Sequence, residues 1–139
     1  MGRPISIVRS GKGIVLTAFA LPVGLDLSVI ITGGPEVSPD DGAHVGCVCL
    51  GIPRGSLRND GTRSATVSTL NVTGHKDDEI GALFARRLAA LTGGVCSVTC
   101  GIHVDNATET DVEFVVRLAE KLLRELEDWI GGLGDERGR

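Results

Sequence analysis

The sequence predicts an α+β domain, with a largely antiparallel β-sheet of about six strands and two helices in the C-terminal half. Up to Val72 the chain consists of short alternating apolar segments separated by Gly, Pro and Asn-Asp-Gly turn signals, which is typical of strands joined by tight turns. Beyond Val72 the apolar period changes to three and four residues, which indicates two helices. One β-branched segment, residues 95–102, separates those helices. Strands followed by late helices are the pattern of an α+β domain.

The first five strands are expected at regular intervals along the chain. They lie around Ile5 and Ile7 and at residues 14–20, 25–32, 45–50 and 62–72. A Gly-Lys-Gly turn joins the first two into a hairpin, and Asn59-Asp60-Gly61 is a strong turn signal before the fifth. A polar loop at residues 36–42 precedes the fourth strand, which we expect to end at Gly51.

The two helices have recognisable starts and apolar faces. The first carries Ile80, Phe84 and Leu88 on one face, has an acidic first turn and ends at Thr92-Gly93. Thr108 and Asp111 form an N-cap arrangement for the second helix. Its apolar stripe is broad and ends near Trp129, which favours a homodimer. Residues 132–139 are predicted to be a disordered tail, so that residues 1–131 form a single domain.

Composition excludes several classes of function. The chain has 139 residues, a net charge of −4, no tyrosine and only four other aromatic residues, which argues against a nucleic-acid partner. No apolar segment is long enough to span a bilayer. The four cysteines lack Cys-x-x-Cys spacing and are expected to be small buried thiols, which fits a reducing cytoplasm.

The stretch between the fifth strand and the first helix concentrates polar chemistry. Gly74, His75, Lys76, Asp77 and Asp78 follow one another at the helix start. A glycine and a helix N-terminus favour an anion such as a phosphate, and Lys76 adds a positive charge. His75, Asp77 and Asp78 are alternatively suited to a divalent metal. A capped, solvated helix start is the structural alternative.

A second stretch repeats the sequence of strand end, polar loop and helix start. His103 and Asp105 are two residues apart at a strand end, so they point the same way, and Asn106 follows. Such a pair can orient an imidazole, hold a metal or exchange protons, or it can simply begin the next turn. His44, beside the polar loop, is interpreted as an ordinary surface histidine. We expect the two stretches to meet and form one site.

No nucleophile has a recognisable catalytic setting. The chain contains no G-x-S-x-G motif and no Cys next to a His, and dinucleotide and Walker patterns are absent. A catalytic interpretation would therefore need metal-activated water at the two loops.

The paired motifs Gly74-His75-Lys76-Asp77-Asp78 and Gly101-Ile102-His103-Val104-Asp105-Asn106-Ala107-Thr108 resemble those of the prenylated-flavin chaperone family, the LpdD-like accessory subunits of gallate- and vanillate-type decarboxylases. The resemblance covers roughly residues 72–126. It implies a proteasome-assembly-chaperone-like fold and a cytoplasmic homodimer without catalytic residues. It further implies that the chain holds reduced or prenylated flavin mononucleotide (FMN) and supplies it to a UbiD-type decarboxylase.

The resemblance also assigns expected roles to residues. Gly74, His75, Lys76, Asp77, Asp78, His103, Asp105 and Asn106 would bind the cofactor, with His75, Asp77 and Asp78 near a divalent metal or the phosphate. Ile80, Phe84 or Ile102 would supply an apolar slot for the flavin ring. The competing interpretations are a small metal-dependent hydrolase of a phosphorylated compound and a protein-assembly chaperone without a ligand.

Overall fold

The computed structural model describes residues 2–72 and 77–137, with side chains described as far as Leu133. The elements in chain order are β1 (Ile5–Gly11), β2 (Ile14–Val23), β3 (Asp26–Pro35), β4 (Cys47–Gly55), β5 (Arg63–Asn71), α1 (Asp78–Thr92), β6 (Cys96–Ile102) and α2 (Glu109–Arg137). The predicted α+β architecture, with six strands and two helices, is confirmed.

All six strands form one sheet in the order β1-β2-β3-β6-β4-β5. Every neighbouring pair is antiparallel except β3 and β6, which run parallel from Leu27↔Cys96 to Gly33↔Ile102. The last strand therefore inserts into the centre of the sheet. Its C-terminal end lies between the end of β3 and the start of β4, and this position brings distant loops together.

Both helices cover the same face of the sheet. α1 packs on β4, β5 and β6, and α2 packs on β1 and β2 and against α1. Alternate strand residues and one stripe of each helix form the core, with Leu16, Ile31, Phe84, Leu122 and Leu126 among its fully buried side chains. Burial of this apolar surface stabilises the fold by about 25 cal/mol for each Å² removed from water, and it is the main stabilising contribution.

The middle of the α2 stripe is covered within the chain itself. Leu118, Leu122, Leu123 and Leu126 are buried against the sheet and α1. Val112 at the start of the stripe is 53% exposed, and the homodimer that the broad stripe favours stays a prediction. Across the described part of the chain, no helix combines the length and the apolar character that crossing a membrane requires.

Two element ends differ from the prediction. β4 continues through Pro53 to Gly55, because β6 pairs with β4 only as far as Gly51 and the missing N–H of Pro53 is tolerated beyond that pairing. α2 continues through the glycines at 131 and 132 to Arg137, where a disordered tail was expected. Half-buried Trp129 and Ile130 pack against the core at this end, and their burial opposes the cost of about 1 kcal/mol for each helical glycine.

Candidate functional site

Asp77 joins the start of α1 to the end of β6. It is the N-cap residue of α1, yet its side chain does not cap the helix. Its Oδ1 atom instead accepts a hydrogen bond from the backbone N–H of Ile102 at 3.3 Å, and only 8% of the residue is exposed. At the end of β6, the buried Asp77 carboxylate therefore accepts a backbone hydrogen bond in place of a neighbouring strand. The two polar stretches meet at this contact, as predicted.

His44 approaches the same carboxylate from the loop between β3 and β4. Its Nε2 atom lies 3.4 Å from Oδ2 of Asp77, and its Nδ1 atom lies 2.9 Å from the carbonyl oxygen of Gly42. Both ring nitrogens therefore face oxygen acceptors. His44 is a member of the cluster and not an ordinary surface histidine.

His103 and Asp105 form the pair that their spacing predicts. Nε2 of His103 lies 2.7 Å from Oδ1 of Asp105, while the backbone N–H of His103 donates to the carbonyl of Gly33. The His103 ring meets the His44 ring edge-on, with 5.9 Å between centroids and 87° between planes. Two histidines, each beside a carboxylate, therefore stand together at this end of the sheet.

Glycines allow this close approach. A Cβ atom on Gly46 would lie 2.0 Å from Oδ2 of Asp77, and one on Gly42, which has a φ of +74°, would lie 2.3 Å from the His103 ring. A side chain at either position would displace a member of the cluster. The positions of Asp77 and His103 thus depend on small residues in the loop before β4.

A cavity of about 310 Å³ opens beside the cluster. It lies where the starts of α1 and α2 converge on the end of β6. Its apolar walls are Ile80, Ile102, Val104, Val112, Val115 and Val116, and its polar side chains are Asp77, Glu79, His103 and Asp111. This volume falls at the lower end of the range of small-molecule sites, and the mixture of apolar walls with a few convergent polar groups is typical of them.

The start of α2 borders this cavity and is fixed by a cap. The backbone N–H of Thr108 donates to Oδ2 of Asp111 at 3.0 Å, and the N–H of Asp111 donates to the Thr108 hydroxyl at 3.1 Å. This reciprocal arrangement confirms the predicted N-cap. It fixes the first turn of α2, on which Asp111 and Val112 face the cavity.

Three buried thiols lie behind Asp77. Burial, together with the smaller effects of the neighbouring Cys49 and of the carboxylates of Asp77 and Asp78, raises the pKa of the Cys47 thiol to about 12. Burial, with Asp77 next in effect, also raises the pKa of Cys100. The thiols of Cys47 and Cys100 therefore remain protonated at neutral pH and are poor nucleophiles. All four cysteines are free and buried, as predicted.

The predicted site residues are only partly brought together. Asp77, His103 and Asp105 belong to the cluster, whereas Asp78 is half-buried in the first turn of α1 and Asn106 is exposed with a φ of +52°. Gly74, His75 and Lys76 lie outside the described residues, so their assignment stays a prediction. Of the three residues proposed for the apolar slot, Ile80 and Ile102 line the cavity, but Phe84 is fully buried in the core.

The metal site also stays a prediction. Among the described side chains, no three His, Cys, Asp or Glu groups converge in a way that would hold a metal ion. The Asp77 carboxylate is already engaged by Ile102 and His44. The described residues alone therefore do not fit a metal centre.

Several residues at the site were not predicted from the sequence. His44 belongs to the cluster, and the cavity is also lined by Glu79, Asp111 and the valines of α2. The helical period could have placed Asp111, Val112 and Val116 near one another at the α2 start. No local signal pointed to His44, because only the central position of β6 brings the loop before β4 to His103.

The fold is similar to a solved structure of a chaperone complex for assembly of the yeast 20S proteasome. The similarity covers 91% of this chain and 95% of that one, with a TM-score of 0.56 and 17% sequence identity. At this identity the likeness establishes the fold alone, which is proteasome-assembly-chaperone-like.

Sequence comparison defines the family. The family model of the prenylated flavin chaperone LpdD-like domain matches residues 10–131, so the chain belongs to that family. Protein LpdD of Lactiplantibacillus plantarum is 27% identical over 120 residues, which cover 85% of this chain and 79% of that protein. The match extends well beyond the two motifs that carried the resemblance.

Proposed function

We propose that this protein binds reduced, prenylated FMN without transforming it and delivers it to a UbiD-type decarboxylase. The observation that carries the proposal is the cavity at the junction of β6, α1 and α2 in a chain of the prenylated-flavin chaperone family. Membership supports a chaperone role. The ligand site, the delivery step and the absence of catalysis are the parts that we propose.

The apolar walls suit the ring system. The cavity offers aliphatic contacts from Ile80, Ile102 and Val116 to a flavin ring or its prenyl-derived extension. These contacts take the place of aromatic stacking, because the described lining of the cavity contains no Phe, Tyr or Trp. The carboxylates of Glu79 and Asp111 can accept hydrogen bonds from the N–H groups of a reduced flavin ring. The cavity therefore favours an apolar ligand with donors at its edge.

The phosphate is assigned to the start of α1. A helix N-terminus presents backbone N–H donors and a positive dipole end, both of which favour an anion. Gly74, His75 and Lys76 immediately precede Asp77 in the chain, and we propose that Lys76 supplies the compensating charge. Asp78, Asp105 and Asn106 are proposed to lie at the rim of the same site.

The chemistry of the cluster supports holding rather than transformation. The raised pKa values of the Cys47 and Cys100 thiols keep them protonated at neutral pH, which makes them poor nucleophiles toward a flavin. The imidazole of His103 is paired with Asp105, and that of His44 faces Asp77 and Gly42. These contacts fix both rings in place, as expected of a binding surface.

We also propose a homodimer, as the family resemblance implies. A reducing cytoplasm agrees with the four free buried thiols. A divalent metal near His75, Asp77 and Asp78 is proposed only as an accessory to phosphate binding. The proposed ring contacts and the delivery of the flavin do not depend on it.

The test is an anaerobic titration of the full chain with reduced prenylated FMN and with FMN, in which unbound flavin is measured after ultrafiltration. Parallel titrations contain Mg²⁺ or EDTA. We expect saturable binding of one flavin per chain. Val112→Glu places a charged, hydrated group on the apolar wall that is proposed to contact the ring, and it is expected to weaken binding at least tenfold, because binding would then desolvate that carboxylate.

Val37→Glu is the matched control, since Val37 is 94% exposed and outside the cavity lining. It should bind as the wild type does. A folded wild-type chain that binds no form of the flavin, with or without Mg²⁺, would overturn the proposal. Metal-dependent release of phosphate from an aryl phosphate would then favour the hydrolase.

A further inference from the structure

β5 is an edge strand of the sheet, and half of its backbone groups point away from its neighbour β4. Beyond one end of the β4–β5 pairing the N–H of Val72 donates to the carbonyl of Gly46, and beyond the other end the N–H of Ser56 donates to the carbonyl of Thr62. Both bonds belong to the same unbroken register, in which even-numbered residues face each other. Opposed residues of an antiparallel pair alternate between bonding each other and pointing outward. The odd-numbered residues of β5 therefore present their N–H and C=O groups at the open edge. Past Arg63 these residues are Ala65, Val67, Thr69 and Asn71.

This edge lacks the usual protections against pairing with a further strand. Residues 64–71 contain no charged residue, no proline and no glycine, and their register with β4 contains no bulge. Natural proteins normally block a sheet edge with such features or cover it. The opposite edge of the same sheet is blocked, because the guanidinium of Arg9 in β1 donates to the carbonyl of Val8 at 2.6 Å and to Glu125 of α2. Of the two edges, β5 is the one open to another strand.

The surroundings of β5 leave room for a strand at this edge. Ala65 is buried and Val67 is half-buried against the core, whereas Thr69 and Asn71 are exposed. On the face of the sheet opposite the helices, Leu70 is 77% exposed. Within the described residues, no hydrogen bond outside the strand ladders ends on the backbone of the four outward residues. An added strand would therefore meet free backbone groups, flanked by apolar contacts from Val67 and Leu70.

We propose that this edge is a docking site for an extended segment of another protein, which pairs with β5 as a seventh strand. The chemistry of the edge defines the occupant: donors and acceptors that alternate along about 20 Å of strand match another extended backbone. Because residues 64–71 are uncharged, the segment is expected to be uncharged as well, since a charge placed against them would lose water without gaining a partner. The described lining of the flavin cavity includes no residue of β5, so the two sites are separate.

The test is a titration of the full chain with a synthetic peptide, with amide hydrogen exchange followed by NMR. The peptide alternates threonine and valine over about eight residues and is N-methylated at every second residue, so that one edge can pair and the peptide does not form fibrils. We expect saturable binding that slows exchange at least tenfold at the outward amides, which are those of Ala65, Val67, Thr69 and Asn71. A control peptide that is N-methylated at every residue has no backbone donors and should not bind.

Thr69→Pro removes one outward N–H, and an edge strand tolerates proline at such a position. This variant should bind the peptide at least tenfold more weakly, whereas Thr69→Val keeps the N–H and should bind as the wild type does. Circular dichroism establishes that each variant is folded, and Asn71→Pro, at the last residue of β5, replaces Thr69→Pro if that variant does not fold.

Three results would overturn the proposal: no saturable binding up to about 1 mM peptide, binding that leaves the outward amides unprotected, or unchanged binding by the folded proline variant. Equal binding of the fully N-methylated peptide would also overturn it, because backbone pairing would then not be the cause. Protection of the same amides without peptide, rising with protein concentration, would show that a second copy occupies the edge instead. None of these results affects the flavin titration.

Discussion

At the scale of single residues, Asp77 carries most of the organisation of the site. Its carboxylate receives the N–H of Ile102 and faces His44, while its own backbone carbonyl accepts the N–H of Gly81 to begin α1. One residue therefore connects a strand end, a helix start and a loop. A change there should alter both stability and the shape of the cavity.

Asp77→Ala is predicted to lower the free energy of unfolding by about 1–3 kcal/mol, because it leaves the N–H of Ile102 without its acceptor. Asp77→Asn retains one acceptor oxygen and should lose less. Urea unfolding measures both. Asp78→Ala is the control, since it also removes a first-turn carboxylate but none of these contacts; an equal loss from Asp78→Ala would show that helix electrostatics, not the Ile102 contact, is responsible.

The buried thiols give a second prediction. The pKa of Cys96 is raised by burial from 9.0 to about 12, so the folded state keeps this proton at a pH where the unfolded chain loses it. The unfolding free energy is therefore insensitive to this group below pH 9 and falls as the pH rises above it. Each such thiol contributes up to about 1.4 kcal/mol per pH unit.

Unfolding in urea at pH 8, 9 and 10 measures this effect, and the chain has no tyrosine to titrate in the same window. Cys96→Ala should make the decline between pH 9 and 10 shallower. A decline as steep in Cys96→Ala as in the wild type would show that this thiol does not cause it.

At the scale of elements, the two helix starts differ in how they are fixed. α1 begins at a residue whose side chain is used elsewhere, whereas α2 begins with a complete reciprocal cap. Because both starts border the cavity, the cap is expected to matter for the ligand as well as for the helix.

Thr108→Ala is predicted to cost about 0.5–2 kcal/mol of stability, as the loss of an N-cap side chain usually does, and to weaken flavin binding by loosening Asp111 and Val112. Thr110→Ala, two residues further on and exposed, is the matched control. Chemical unfolding and the flavin titration supply the two readouts. Unchanged stability in Thr108→Ala would contradict the role of the cap.

The elements themselves were largely predictable, because each depends on local patterns. Alternation located the strands, the three-and-four period located both helices, and Gly93 ended α1 in the left-handed conformation expected of a C-terminal glycine. The end of α2 was not predictable from its glycines. We attribute it to the packing of Trp129 and Ile130 against the core, which a local pattern does not report.

At the scale of the whole molecule, the site results from topology. β6 enters the sheet parallel to β3 and antiparallel to β4, and this places His103 beside the loop that carries His44. Nothing in the sequence near His44 indicates this neighbour. The His103–Asp105 pair, by contrast, follows from spacing within one strand end and was predictable.

The two faces of the sheet differ in what covers them. One face holds the helices and the core, and its edge holds the cavity. The other face is exposed and carries Phe19, Ile30 and Val48.

Delivery of the flavin is tested most directly by a transfer measurement. The wild-type chain is loaded anaerobically with reduced prenylated FMN, separated from free flavin and mixed with an apo UbiD-type decarboxylase, and the flavin bound to each protein is measured over time. We predict that flavin moves to the decarboxylase and activates it, and that Val112→Glu carries little flavin while Val37→Glu behaves as the wild type does. A wild-type chain that retains no flavin after separation, or that holds it without activating the decarboxylase, would contradict the account.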